Sequence, residues 1–191
     1  NDRALCVAQW HKADNLSDAR AAVVGLCRGV SAERDQVLLE ARSRWETDPA
    51  TLDKWFAIQA AASTPDALER VRALCSDPAF TLRNPNRAMA LLRTFARNFG
   101  VFHAPSGAGY ALLVDRVLEI DPMNPGLSAR LIQPLAAWRR FPAPWGPAMR
   151  TQLERAAQAP ALSKNLGEIV RLALADLQSA GKGAHAPQPA G

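Results

Sequence analysis

Asn84-Pro85-Asn86-Arg87-Ala88-Met89-Ala90-Leu91-Leu92-Arg93-Thr94-Phe95-Ala96-Arg97 is the stretch that decides the fold. Asn84 has the side chain of an N-cap, and Pro85 sits at the first helical position, where its missing N–H costs nothing. From there Ala88, Leu91, Leu92, Phe95 and Phe99 recur at helical spacing and predict one apolar stripe. Arg93 and Arg97, four apart, fall on roughly the opposite side. Beyond Phe102-His103-Ala104-Pro105, the segment Ser106-Gly107-Ala108-Gly109 turns the chain, and Tyr110 begins the next helix.

The same device recurs in both directions. Toward the N-terminus, Thr64-Pro65 predicts the start of a helix carrying Leu68, Val71, Leu74 and Cys75, and Asp48-Pro49 one carrying Leu52, Trp55, Phe56 and Ala60. Ser31 caps the helix of Val37, Leu38, Ala41 and Trp45. Asn15 or Ser17 caps that of Ala19, Ala22, Val23 and Leu26, with Gly29 as a left-handed stop. Ala4, Leu5, Val7, Ala8 and Trp10 form a further helical periodicity. Toward the C-terminus, Asn124-Pro125 opens a helix of Leu127, Leu131, Ile132, Leu135 and Trp138. Pro142, Pro144 and Pro147 then stiffen a loop around Phe141 and Trp145. A helix of Ala148, Met149, Leu153 and Ala156 follows, and Ser163 caps the last one. Asp48, Asp77 and Asp121 read as caps.

β-Branched residues nowhere alternate with polar ones over a strand's length. The helix starts fall about twenty residues apart, so two helices make a unit of about forty, the size of HEAT or armadillo repeats. The expected fold is therefore all-α, a right-handed-type superhelix of antiparallel helix pairs over residues 1–178, followed by a disordered tail over 179–191.

Composition narrows the function classes. Apolar residues make up 48% and charged residues 21%, which describes a globular protein with a sizeable core. No apolar run is long enough to span a bilayer, so no membrane partner is expected. Cys6, Cys27 and Cys75 lack C-x-x-C spacing and sit at apolar helical positions, which predicts buried free thiols in a reducing, cytoplasmic compartment. Net charge is +5, but unevenly spread: residues 1–82 carry −2 and residues 83–191 carry +7. Arg139-Arg140 is the only adjacent basic pair in that half, and no aromatic RNA-binding signature accompanies it, so nucleic acid is not an expected partner.

Catalytic patterns are missing too. His11, His103 and His185 form no paired ligand spacing, and no H-E-x-x-H, G-x-S-x-G or P-loop occurs. His103 reads as a loop-packing residue, and Trp45, Trp55 and Phe56 as core. Taken alone, the residues describe a helical scaffold without a catalytic centre.

Several segments together resemble one family. They are Ala13-Asp14-Asn15-Leu16-Ser17-Asp18, Leu52-Asp53-Lys54-Trp55-Phe56, Asn84-Pro85-Asn86-Arg87, Phe102-His103-Ala104, Gly109-Tyr110, and Asn124-Pro125 through Arg130-Leu131-Ile132-Gln133-Pro134-Leu135. Their order and spacing are similar to the C-terminal domain of bacterial aminopeptidase N, a zinc metallopeptidase that removes N-terminal residues from peptides. The resemblance covers roughly residues 8–177.

It implies a fragment without catalytic residues, whose partner is the catalytic domain of the same polypeptide. Zinc and the general-base glutamate belong to that absent domain, so no cofactor is expected in this chain. The helical domain covers the cleft and restricts it to peptide substrates. Arg130 matches a family arginine that faces the cavity. A second family arginine falls at Met89 here, a departure from a two-arginine wall. Asp14-Asn15 and Asp53-Lys54 read as structural matches, through capping and helix contacts. The rival class is a free-standing helical-repeat adaptor that binds a protein or acidic partner through its basic half.

Overall fold

The computed structural model describes residues 2–175. Its first five helices are α1 (Asp2–Lys12), α2 (Leu16–Leu26), α3 (Ala32–Trp45), α4 (Pro49–Ala60) and α5 (Ala67–Cys75). A continuous helical stretch then runs through α6 (Pro85–Ala88), a π-helical turn (Met89–Arg93) and α7 (Thr94–Arg97). After it come α8 (Phe99–Phe102), α9 (Ala108–Ile120), α10 (Pro125–Leu131), α11 (Gln133–Ala136), a 3-10 turn (Trp138–Arg140), α12 (Trp145–Ala157) and α13 (Lys164–Leu174). No strand occurs among the described residues, as expected. The expected disordered tail lies outside the described residues.

Helix starts follow local chemistry closely. Asn15 accepts from the Asp18 N–H at 2.9 Å, Ser31 from Arg34 at 3.1 Å, and Asp48 from Ala50 at 3.0 Å. Asn84 Oδ1 takes both the Asn86 and Arg87 N–H groups, Asn124 takes Leu127, and Ser163 takes Leu166. Each side chain satisfies a donor that the first helical turn leaves without a partner. Consecutive helices then pack on one another. α2 contacts α1 and α3, α4 contacts α3, α5 and the π-helical turn, α9 contacts α10 and α12, and α13 contacts α10 and α12. Neighbour-on-neighbour stacking is how a solenoid of helix pairs buries faces that no single pair could bury.

One core runs through the stack. It begins at Trp10 and Trp45, edge to face at 5.7 Å, and continues through Trp55 and Phe56. Leu91, Leu92 and Phe95 are fully buried in its middle, and Leu113, Leu135, Met149 and Leu166 carry it to the far end.

Several expectations need correction. Gly29 is not left-handed; Gly107, at φ 66°, is the one positive-φ residue among those described. Thr64-Pro65 does not open α5, which starts at Ala67, because Thr64 donates its hydroxyl to Asp66 and that carboxylate turns to Arg34. Phe99 is 68% exposed rather than part of the stripe, since the helix breaks at Asn98. Cys27 is buried, whereas Cys6 and Cys75 are only half-buried.

Asp121 is not a local cap either. Buried at 2% exposure, it accepts the Ser128 hydroxyl at 2.6 Å and both the backbone N–H and the hydroxyl of Ser163 at 2.7 Å. It thus ties the end of α9 to α10 and to the residue that caps α13. Asp121→Ala leaves the Ser163 N–H and hydroxyl without this acceptor and turns the Ser128 hydroxyl back to the Pro125 carbonyl. It should lower stability in urea titrations by about 2–3 kcal/mol. A loss below about 0.5 kcal/mol, the level of an ordinary surface change, would show that the tie is dispensable.

Candidate functional site

Arg87 anchors the segment that carries the candidate residues. Its Nε donates to Asp53 of α4, its Nη1 donates to the Ala79 carbonyl at 2.6 Å, and its guanidinium lies 5.1 Å from the Phe56 ring centroid. Two of the sequence segments singled out above, around Asp53 and around Arg87, therefore meet in one partly buried ion pair. This bears out the structural reading of Asp53 and sets how the next helical turn lies on α4.

That next turn is π-helical, Met89–Arg93. Such turns insert an extra residue into an α-helix and recur at functional sites. Leu91 and Leu92 face the core here, Met89 is half-buried, and Arg93 is exposed. Arg97, one turn on, is exposed beside it.

Arg130 sits at the end of α10, where its neighbours Ala129 and Leu131 are buried and its own side chain is not. Two recesses meet at it. One, of about 420 Å³, is lined by Met89, Asn86, Asn124 and Arg130 among others. The other, of about 480 Å³, is lined by Arg93, Arg97, Arg130 and Gln133 over a floor of Ala96, Leu131 and Pro134. The two residues singled out from sequence, Arg130 and Met89, thus share the first recess. Arg93 and Arg97, assigned from sequence only to the face opposite the stripe, join Arg130 in the second. Their shared four-residue spacing was the available signal; that they meet Arg130, more than thirty positions away, was not legible.

His103 belongs to a different cluster. Its Nδ1 lies 2.7 Å from the Tyr110 hydroxyl, its carbonyl accepts from Trp145 Nε1 at 2.6 Å, and its ring stacks on Phe141 at 4.8 Å. Burial pushes the His103 pKa down and the Tyr110 pKa up. Both are accordingly neutral at pH 7 and hold the loop to α9 and α12. Gly109 lets this loop close: a Cβ there would come within 2.8 Å of the Phe102 carbonyl oxygen. Burial also pushes the Cys27 and Cys75 thiols up to about 11, which leaves them protonated and unreactive. Among the described residues no group of three or more His, Cys, Asp or Glu is placed to hold a metal ion. No helix among the described residues is long and apolar enough to cross a membrane.

The chain matches, over residues 1–175, the family described as "Domain of unknown function (DUF3458_C) ARM repeats". It is 45% identical over 172 residues to the aminopeptidase N of Caulobacter vibrioides. It is 36% identical over 171 residues to that of Haemophilus influenzae and 36% over 172 residues to that of Escherichia coli. These alignments take in 89–90% of this chain but 20% of each relative. Among solved structures, Legionella pneumophila aminopeptidase A in complex with aspartic acid superposes with a TM-score of 0.85 at 30% identity. That superposition covers 90% of this chain and 20% of that one.

Proposed function

We propose, because this chain belongs to the DUF3458_C family of ARM-repeat domains, that it serves as the non-catalytic C-terminal domain of a zinc aminopeptidase, lying over the catalytic cleft and limiting which peptides enter. The observation that carries this reading is the pattern of likeness: nine-tenths of the chain aligns with aminopeptidases N while spanning 20% of their length. The zinc and its general base would be supplied from outside this chain. His11 and His103 stand on separate elements, and His103 is held by Tyr110, so the described residues offer no ligand set. A cytoplasmic location belongs to the same reading, with three cysteines that remain free thiols.

Arg130 is the residue assigned to substrate. It is exposed, and it lines two recesses. A guanidinium so placed holds peptide carbonyls or a carboxylate by paired hydrogen bonds without touching the bond being cut. Met89, on the wall of the first recess, adds apolar surface rather than a second charge.

Two measurements test the reading. The gene's reading frame should encode an H-E-x-x-H upstream of Asn1; a reading frame without it would favour the free-standing adaptor. In the whole enzyme, Arg130→Ala should raise KM for peptides by about 5- to 150-fold, at most about 1–3 kcal/mol, with kcat changed less. A one-residue chromogenic substrate, too short to reach this domain, should be nearly unaffected. Equal losses on both substrates would remove Arg130 from peptide binding.

A further inference from the structure

We infer that the recess of Arg93, Arg97 and Arg130 is a binding site for an acidic peptide segment. Three positive side chains line one recess of about 480 Å³, and neither an aspartate nor a glutamate lines it with them. The adjoining recess at Met89 contains no carboxylate either. Among the described residues, no hydrogen bond or ion pair engages any of the three guanidinium groups. Several arginines elsewhere are matched with carboxylates, among them Arg34 with Asp66, Arg70 with Asp35, Arg87 with Asp53 and Arg155 with Asp115, whereas single exposed arginines such as Arg140 are not. What sets these three apart is that they share one recess. Like charges gathered around one concavity raise its potential, so an incoming anion is attracted and an incoming cation repelled.

The lining selects among anions. Forked guanidinium donors fit carboxylate and phosphate alike. The floor of Ala96, Leu131 and Pro134, of which half-buried Pro134 is the most accessible, gives an organic ligand apolar surface that a free inorganic ion cannot use. The two recesses share Arg130, which makes the concavity longer than a single ion requires. Gln133 on one side and Asn86 on the other add amides able to bond a peptide backbone. An extended segment with several Asp or Glu side chains satisfies all of these features. The inference stands whether or not the chain is joined to a catalytic domain, because it is read from the charges and surfaces of the recess itself.

Calorimetric titration of the 191-residue chain with a blocked tetraglutamate peptide tests it, with blocked tetraglutamine and inorganic phosphate as comparisons. Tetraglutamate should bind, and raising salt from about 50 to about 200 mM should weaken it by about fivefold or more. Tetraglutamine should show no heat, and phosphate should bind at least about tenfold more weakly. Arg93→Gln and Arg97→Gln should each weaken tetraglutamate about five- to tenfold. Arg140→Gln, exposed but outside the recess, should leave it unchanged. Since Arg93 and Arg97 are exposed, the variants should melt with the parent chain. Equal binding of tetraglutamine, equal weakening by Arg140→Gln, or phosphate binding as tight as tetraglutamate would each overturn the assignment.

Discussion

Arg87→Met should cost about 3–5 kcal/mol of stability. Methionine fills most of the same volume and keeps contact with Phe56, so the loss measures charge and hydrogen bonding more than packing. Two groups are left behind. The Asp53 carboxylate, 19% exposed, loses the cation it is paired with, and the Ala79 carbonyl loses its 2.6 Å donor. Arg87→Lys should recover little, because a single ammonium cannot serve both acceptors from one planar fork. Urea unfolding of Arg87→Met, Asp53→Asn and the double variant checks this. The double variant should be less destabilised than the two single changes combined, by at least about 1 kcal/mol. Simple additivity, or a single-variant loss below about 1 kcal/mol, would mean the pair does not hold α6 to α4. Because the π-helical turn begins directly after Ala88, the same pair also positions Met89 and Arg93, so its loss should weaken tetraglutamate binding as well.

Arg34→Met is the second large effect, about 3–5 kcal/mol, for a related reason. Arg34 is 2% exposed, yet it reaches Asp66 through both terminal nitrogens, at 3.2 and 2.8 Å, and Asp35 through Nε at 3.0 Å. Thr64 and Arg70 complete the set around Asp66, at 2.7 and 3.3 Å. Those bonds, Arg34's first, hold the Asp66 carboxyl well below the usual carboxylate range. A depressed folded pKa stabilises the fold above the unfolded value and ceases to do so as pH falls through the folded one. The Asp66 share of stability should therefore be complete above about pH 5 and drain away below about pH 4. Glu33 and Glu40 are also depressed, by hydrogen bonds from nearby donors, so the comparison must be with Asp66→Asn. That variant should be less stable than the parent at neutral pH, and the difference should narrow on acidification. A constant difference from pH 7 to pH 2 would show that ionised Asp66 contributes nothing.

What the sequence by itself determined here is local. The starts near 49, 85, 125 and 164 are set by a side-chain cap, most with a proline beside it, and both act within one helical turn. The apolar stripes were equally legible, because burial at Leu91, Leu92 and Phe95 follows from a period that the chain carries wherever it packs. Tertiary structure decided everything that joins residues far apart. Asp121 has the spacing of a cap, but Ser128 and Ser163 use its carboxylate to tie three helices. Thr64-Pro65 looks like a helix start, but Asp66 is drawn to Arg34, thirty-two positions earlier. Arg93, Arg97 and Arg130 carry no mark in sequence that they line one recess. Periodicity states which way a side chain faces on its own helix. It holds no information on which other helix lies opposite, because that is set by how buried surfaces fit together across the whole stack.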